Sequence, residues 1–383
     1  MIRLLALLLL LPLVSTAQQT AGVAFQRAPF ADLLQRARAE DKLIFIDAFT
    51  TWCGPCKLMD AQVFPDSEVG TVFNERFVNA KFDMEKGEGP ALAERYSVAA
   101  YPTYLFVDGN GDLIHKGVGF IPKPALLELA DVAVSDESLG AMNARYAAGE
   151  RDPGFVQQYA RTLTSTYEQA RADAVIGAYL ASQENWDTRD HLLLLTESPG
   201  EVGGERMRYL TEHLPAVADT LGDYVYAIVE RALVNDYHRS RQLRNMAPPA
   251  ELAAYFAEHA GPAAERLRDH YALTFYQRQD RMDEFLPLAL AFYEQYPSTD
   301  YTELNEIAWT FFENSDEPEQ LARAIEWAEA SVDLRAYYPN LDTLAWLYYK
   351  TGQLEKAKST ARRAIEYAKE AELDYSETAK ILE

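Results

Sequence analysis

The chain contains two cysteines, Cys53 and Cys56, whose position and spacing could support redox chemistry. They follow an apolar run, residues 43–46, that predicts a buried strand, and they precede a helical pattern. At the first turn of a helix, unpaired amide groups and the helix dipole stabilise a thiolate. A cysteine three residues further along lies one helical turn away, so the two sulfur atoms can close a small disulfide. The spacing therefore predicts that Cys53 attacks a substrate disulfide and that Cys56 resolves the mixed disulfide.

Two other roles for this cysteine pair stay open from the residues alone. The pair could be half of a zinc site, but the sequence has no second cysteine pair and its six histidines are scattered. It could also be an inert structural disulfide, although so short a loop constrains the unfolded chain little. We expect no metal, and no cofactor other than the redox-active disulfide itself.

The elements that must position the cysteines alternate between helix and strand up to about residue 134. Helical patterns cover residues 31–39, the stretch from the cysteines to about residue 76, 90–96 and 126–132, and strand patterns cover 43–46, 77–82, 103–107 and 113–118. Residues 108–111, Asp-Gly-Asn-Gly, are a hairpin-turn signal between the last two strands. This order predicts an α/β fold with a mixed central sheet flanked by helices.

Residues 30–134 resemble the thioredoxin family, and four features in the family's order carry the resemblance. They are the acid Asp47 six residues before Cys53, the string Trp-Cys-Gly-Pro-Cys-Lys at 52–57, the strand lysine Lys81, and the Tyr-Pro-Thr loop at Tyr101 and Pro102. The resemblance implies a thioredoxin fold with a cis peptide bond before Pro102. It also implies that Cys53 is the nucleophile and Cys56 the resolving thiol of a thiol–disulfide oxidoreductase.

The resemblance implies further roles around the cysteines. Asp47, with its pKa raised by burial, would accept or relay the proton of Cys56, and Lys81 would modulate that acid. The implied contacts of an extended substrate peptide are Trp52, Gly54, Pro55, Tyr101 and Pro102. Residue 101 is a tyrosine where ordinary thioredoxins carry a smaller aliphatic side chain, which leaves substrate choice open. Structural alternatives stay open for three residues: Asp47 as a turn residue, Lys81 as a solvated strand residue and Pro102 as a trans proline.

After residue 135, strand patterns nearly vanish and short turn signals separate one helical pattern from the next. The segment 304–311 is echoed 37 positions later by 341–348, with leucine, alanine, tryptophan and an aromatic residue at matching places. This region resembles the tetratricopeptide repeat, although Leu341 stands in place of that family's first tryptophan. We therefore predict an all-helical, tetratricopeptide-like domain over residues 135–383. Helical repeats present extended concave surfaces, so this domain is expected to bind a partner or substrate protein.

The first residues have the order of a secretory signal peptide, predicted over residues 1–17. A basic start is followed by an apolar run to Val14 and by small residues before Gln18. The apolar run is about half of the ~20 residues that a membrane-spanning helix needs, so an uncleaved anchor is the less favoured alternative. We expect an exported, periplasmic protein with no membrane span after removal of the signal. Its domains would be residues 18–134, thioredoxin-like, and 135–383, helical.

The charge and the spacer between the cysteines limit the function classes. Acidic residues number 59 and basic residues 36, a formal net charge of -23, which disfavours nucleic acid as a partner. A Gly-Pro spacer is typical of reducing family members, at about -270 mV for thioredoxin itself. The sequence thus predicts an exported enzyme of cell redox homeostasis that reduces or isomerises protein disulfides and is recharged by an unidentified thiol electron donor. The alternative is a non-catalytic binding or assembly protein that uses the thioredoxin fold as a platform.

Overall fold

The computed structural model describes residues 22–383, so the predicted signal peptide at residues 1–17 lies outside the described residues. The chain divides into two compact units, whose described parts are residues 22–194 and 195–383. The expected domain boundary after residue 134 stays a prediction, because three further helices belong to the first compact unit.

The first unit is built on a four-stranded sheet with the order β2-β1-β3-β4. The strands are β1 Leu43–Phe49, β2 Phe77–Asp83, β3 Thr103–Val107 and β4 Leu113–Val118. β1 pairs with β2 in parallel and with β3 antiparallel, and β4 pairs antiparallel with β3. The helices are α1 Phe30–Glu40, α2 Gly54–Leu58, α3 Ser67–Arg76, α4 Gly89–Arg95, α5 Lys123–Ala133, α6 Leu139–Ala147, α7 Pro153–Ser165 and α8 Gln169–Ala181. The predicted mixed sheet flanked by helices is confirmed, and it is the thioredoxin fold.

The inner strand β1 sends its side chains alternately into two hydrophobic cores. Ile44 and Ile46 belong to the core that includes α1 and α4, and Phe45 belongs to the core that includes α3 and α5. Because side chains two residues apart on a strand share a face, Asp47 lies on the same face as Phe45. The strand is therefore covered on both faces, as its continuous apolar run predicts.

The helical stretch after the cysteines is interrupted. α2 continues as a π-helical turn, Met59–Val63, which ends before Pro65. α3 then begins anew, because the Asp66 carboxylate accepts hydrogen bonds from the amides of Glu68 and Val69. A continuous helix would need an amide donor at residue 65, which proline lacks. The prediction of helix from the cysteines to about residue 76 is thus confirmed in type but not in continuity.

Helix α6 and the residue that precedes α8 contact the edge strand β4. At the start of α6, the Leu139 amide donates a hydrogen bond of 3.2 Å to Nδ1 of the buried His115. Burial lowers the pKa of His115 to about 4, so its ring is neutral and can accept this bond. The Lys116 ammonium lies 3.3 Å from the carboxylate of Glu168, the residue that precedes α8. These contacts cover part of an edge strand that would otherwise be open to pairing with another chain.

The second unit is helical throughout the residues that the structure describes. Its helices are α10 Glu205–Leu221, α11 Tyr224–Arg241, α12 Pro249–His259, α13 Ala264–Arg278, α14 Met282–Gln295, α15 Tyr301–Asn314, α16 Pro318–Leu334, α17 Tyr338–Lys350, α18 Leu354–Glu370 and α19 Ser376–Ala379, while α9 Arg189–Glu197 crosses the division between the units. The predicted repeat falls on α15 and α17, and each of them packs against the helix that follows it. The all-helical prediction for this part of the chain is confirmed.

We expect Phe45→Ala to lower the free energy of unfolding of the first unit by about 3–5 kcal/mol, because the ring is fully buried. Its centroid lies 4.7 Å from that of Phe73 and 5.3 Å from that of Phe106. Native-state hydrogen exchange at the β1 amides measures the change for this unit alone. Leu58→Ala, which removes an exposed side chain, should cost less than about 0.5 kcal/mol. Equal losses in the two variants would contradict the placement of Phe45 in the core.

Candidate active site

A disulfide bond joins Cys53 and Cys56 at the start of α2. Cys53 caps this helix, and its Sγ accepts a hydrogen bond of 3.1 Å from the Cys56 amide. Pro55 occupies a first-turn position, where no amide donor is needed within the helix. Both cysteines are buried. The cap places the Cys53 sulfur at the positive end of the helix dipole, where a thiolate is stabilised.

Asp47, near the end of β1, is a buried carboxylate paired with a lysine. The register of β1 and β2 places Lys81 beside Asp47, and its Nζ lies 2.9 Å from Asp47 Oδ2. Burial raises the pKa of Asp47 to about 6, and the positive charge of Lys81 opposes this rise without cancelling it. A carboxyl group with this pKa can take up and release a proton near neutral pH, as general acid–base chemistry requires.

Lys81 is held by a second carboxylate and by aromatic rings. Its ammonium also bonds to Asp60, which lies in the π-helical turn. The Nζ atom is 4.8–5.5 Å from three ring centroids, those of Phe25, Phe49 and Phe64. Burial disfavours the charged form of Lys81, but the two carboxylates outweigh it and raise the pKa. Lys81 is therefore a charged partner of both Asp47 and Asp60.

Trp52 and Tyr101 form an aromatic surface beside the disulfide. Trp52 directly precedes Cys53 and is 64% exposed. Its ring meets that of Tyr101 edge-on, with the centroids 6.0 Å apart. The indole Nε1 donates a hydrogen bond of 2.9 Å to Glu85, which fixes the orientation of the ring. An exposed, oriented ring of this kind is suited to packing against a bound polypeptide.

The backbone beside this aromatic surface is exposed at Gly54 and Pro55 and is held by a hydrogen bond at Pro102. Gly54 and Pro55 are exposed, and a Cβ atom added to Gly54 would meet no atom within 4 Å. The peptide bond between Tyr101 and Pro102 is cis, as the resemblance implies. The Pro102 carbonyl accepts a hydrogen bond of 2.8 Å from the amide of Gly119, which ties the loop to the end of β4.

The expected site residues form three contacting groups: the cysteine pair, Asp47 with Lys81, and Trp52 with Tyr101. In residues 22–383, no hydrogen bond joins Asp47 to either cysteine.

Two polar residues of this site were missed by sequence reasoning. Asp60, the second carboxylate on Lys81, comes four residues after Cys56. Helical spacing from that cysteine could have indicated it, since positions four apart share a helix face. Tyr104 lies opposite Asp47 in the register of β1 and β3, and its buried hydroxyl has no hydrogen-bond partner among the described residues. Burial, with the nearby Asp47 charge, raises the pKa of Tyr104. Its pairing with Asp47 depends on strand register, which no local pattern shows.

Two further features of residues 22–383 concern metal binding and membrane spanning. No group of three or more histidine, cysteine, aspartate or glutamate side chains is placed to hold a metal ion. No helix in that range combines the length and apolar character needed to cross a membrane.

The comparisons with known proteins agree with this geometry. A family model of DsbH-type thioredoxin-like proteins, described as a protein of unknown function (DUF255), matches residues 22–107. A thioredoxin of Staphylococcus aureus is 35% identical over 95 residues, which are 25% of this chain and 86% of that thioredoxin. The chain belongs to the thioredoxin family.

Other relatives match the same kind of segment. Thioredoxin-1 of Drosophila melanogaster is 40% identical over 72 residues, 19% of this chain and 63% of that protein. The chain thus spans less than two thirds of the length of this thioredoxin. A candidate disulphide-isomerase of Bacteroides thetaiotaomicron, with a known solution structure, is 49% identical and has a TM-score of 0.29, covering 30% of this chain and 97% of that one.

We expect Asp47→Asn to stabilise the oxidised protein near pH 8 but not near pH 4. The folded-state pKa of about 6 lies above the unfolded value of about 3.9, so the folded state binds the extra proton between these pH values. Stability therefore falls as the pH rises through this window, and above it the folded state must bury a charge. The variant removes this cost, about 1–3 kcal/mol. The free energy of unfolding would be measured by urea denaturation, with the NMR signals of β1 residues as the reporter.

Asp60→Asn is the matched control for this pH dependence. Its carboxylate also pairs with Lys81 but is half exposed, so its removal relieves no buried charge. We expect no stabilisation near pH 8 from this variant. A gain in Asp47→Asn that is the same at both pH values would contradict a raised pKa for Asp47.

Proposed function

We propose that the protein is a thiol–disulfide oxidoreductase that reduces or isomerises protein disulfides through Cys53 and Cys56. The observation that carries this proposal is the Cys53 sulfur at the cap of α2, where it accepts the Cys56 amide hydrogen bond. In the reduced protein the same bond and the helix dipole would stabilise the Cys53 thiolate, which is the attacking species. Membership of the thioredoxin family supports the same chemistry.

The reaction would transfer two electrons from the dithiol to a substrate disulfide. The Cys53 thiolate attacks one substrate sulfur and breaks the substrate S–S bond. The other substrate sulfur departs as a thiolate, and the attacked sulfur stays bound to Cys53 in a mixed disulfide. The Cys56 thiolate then attacks the Cys53 sulfur, which releases the second substrate thiolate and closes the disulfide seen in this structure. The released thiolates take protons from the solvent. A thiol electron donor must then reduce the disulfide for the next turnover.

Asp47 would take the proton that Cys56 loses before the second attack. With a pKa of about 6, Asp47 is mostly ionised at neutral pH and can act as a base. Lys81 would tune this base, because its positive charge favours the carboxylate form and lowers the pKa. Asp60 shares the Lys81 charge and would thereby weaken that effect on Asp47.

An extended substrate peptide would lie across the exposed side of the disulfide. Its side chains would pack on the aromatic surface of Trp52 and Tyr101, and its backbone would approach Gly54, Pro55 and Pro102. The larger Tyr101 would favour substrates whose residue next to the disulfide is small, because its ring occupies space that an aliphatic side chain would leave open.

We propose the same domain organisation and location as the sequence predicts. A signal peptide of residues 1–17 would direct the protein to the periplasm, a compartment in which protein disulfides persist. Residues 18–134 would form the redox domain, and residues 135–383 would form a tetratricopeptide-like domain that binds a partner or substrate protein. The paired helices α15 to α18 support this assignment. The net charge of -23 supports a protein partner in preference to nucleic acid.

We expect Cys53→Ser and Cys56→Ser to differ sharply in insulin reduction with dithiothreitol. Cys53→Ser should reduce insulin no faster than dithiothreitol alone, because it has no attacking thiolate. Cys56→Ser, first reduced and then freed of dithiothreitol, should still attack insulin and should accumulate a mixed disulfide with it, visible by mass spectrometry, because no second thiol is present to resolve it. The two variants are controls for each other, since each lacks the disulfide. Turnover by Cys53→Ser at the parent rate would refute the enzyme and favour the platform alternative.

We expect the equilibrium reduction potential of the Cys53–Cys56 pair to lie near the thioredoxin value of about -270 mV. The reason is the Gly-Pro spacer between the cysteines, which is the spacer of strongly reducing relatives. Equilibration with glutathione buffers, followed by alkylation of the free thiols and mass spectrometry, would measure it, since Cys53 and Cys56 are the two cysteines of the sequence. A potential about 100 mV or more higher would contradict a reductase and indicate an oxidase or isomerase.

A further inference from the structure

A cavity of about 500 Å³ opens in the second unit between α11, α13 and the start of α15. Aromatic rings line part of its wall, those of Tyr226, Phe292 and Tyr296. A smaller cavity of about 210 Å³ has three of its lining residues in common with the first, His270 and the α15 carboxylates Glu303 and Glu306. The wall thus combines apolar ring surface with negative charge.

The cationic residues on this wall already have carboxylate partners. The Arg266 guanidinium lies 3.0 Å from Asp223 and stacks 3.6 Å from the ring centroid of Tyr226. His270 Nδ1 lies 2.6 Å from a carboxylate oxygen of Glu230. Burial disfavours a charged His270, but Glu230 outweighs it and raises the pKa. Arg266 is therefore paired away from the α15 carboxylates, whereas the charge of Glu303 also acts on His270 and helps to raise its pKa.

Glu303 and Glu306 lie one helical turn apart and face both cavities. Glu303 is fixed by hydrogen bonds from the hydroxyls of Tyr293, at 2.9 Å, and Ser298, at 2.5 Å. Asp300, the third acid here, is engaged as the cap of α15. Within residues 22–383, no lysine, arginine or histidine forms an ion pair with Glu303 or Glu306. The cavity therefore presents Glu306, an exposed carboxylate without an ion-pair partner among the described residues, beside Glu303, whose charge interacts with His270.

An aromatic row continues from this cavity along α15 and α17. Trp309 lies one turn beyond Glu306, and its ring centroid is 4.8 Å from that of Phe312. The Phe312 ring lies 6.2 Å from that of Trp346, which lies 5.7 Å from that of Tyr349. None of these four rings is fully buried, and Tyr349 is 45% exposed. Glu306 at the edge of the cavity and Trp309 at the start of the aromatic row are thus neighbours on the surface of α15.

We propose that this face binds an extended segment of a partner polypeptide, with a lysine or arginine side chain in the cavity and neighbouring apolar residues on the aromatic row. The aliphatic stem of the basic side chain would pack on the rings of the wall, and its charged end would meet Glu303 and Glu306. The net charge of -23 would draw a basic partner towards the protein. This inference rests on the part of the proposed function that assigns partner binding to the helical domain.

The test measures binding of synthetic peptides to the full mature chain by fluorescence anisotropy at physiological salt. The peptides share leucine- and serine-containing flanks and differ in one central residue, which is lysine, norleucine or glutamate. We expect the lysine peptide to bind at least about tenfold more tightly than the norleucine peptide, and the glutamate peptide not to bind. Glu306→Gln should weaken the lysine peptide about fivefold or more, because a charge-assisted hydrogen bond is lost.

Two further variants separate the cavity from general attraction to an acidic protein. Glu366→Gln removes the same charge from an exposed position on α18 and should leave the affinity unchanged. Ala227→Trp places a large ring on the cavity wall and should abolish binding while the helical circular dichroism stays the same. If Glu366→Gln weakens binding as much as Glu306→Gln does, or if Ala227→Trp has no effect, the proposed site is wrong.

N-acetyl-lysine amide and the variant Tyr349→Ser together show whether the ligand of the cavity is a small amine or a polypeptide. That variant should weaken the lysine peptide severalfold but leave N-acetyl-lysine amide unaffected. Equal affinity for the amide and the peptide, with no effect of Tyr349→Ser, would overturn the polypeptide as ligand. Cys53→Ser should bind the peptide like the parent. A parent protein that reduces insulin but does not bind the lysine peptide would therefore refute this inference alone. A parent protein that binds the peptide but does not reduce insulin would refute only the redox activity.

Discussion

The redox site depends on the register of β1. Side chains two residues apart on this strand share a face, so one register places a residue in the core and another in the redox site. Phe45 fills the core, and Asp47 lies on the same face next to Lys81 of β2. A buried carboxylate without a partner would be costly, and the lysine charge offsets part of that cost. A slip of one residue would turn Asp47 to the opposite face and separate it from Lys81. The aromatic core that fixes β1 therefore also fixes the acid.

Local patterns predicted what depends on neighbours in sequence. The apolar run of β1, the hairpin turn at residues 108–111 and the cysteine cap of α2 each follow from adjacent residues, and the structure has all three. The contact between Asp47 and Lys81 followed only from the family resemblance, since it joins two strands. Asp60 was missed because its contact with Lys81 joins the π-helical turn to β2, so helical spacing from Cys56 could indicate its helix face but not its partner.

The change in amino-acid composition and the boundary between the two compact units lie at different places in the chain. Composition changes near residue 135, where strands end and helices take over, because it reports local backbone preference. The first compact unit nevertheless extends to residue 194, and within it α6 and Glu168, the residue before α8, contact β4 at His115 and Lys116. Neither residue is unusual in a strand, so their sequence does not reveal that a helix covers them. Packing between elements distant in sequence is the part of the fold that periodicity leaves open.

A second binding surface would solve a problem that the redox site cannot solve alone. Thiol exchange acts on two sulfur atoms, and the aromatic surface of Trp52 and Tyr101 can contact only the residues around a disulfide. Discrimination among substrates that share the same residues around the disulfide would therefore have to come from residues further away. If the acidic cavity holds a basic segment of the same substrate, binding there raises the effective concentration of its disulfide at Cys53. The gain needs only a linker of suitable length in the substrate, and it favours basic partners over acidic ones.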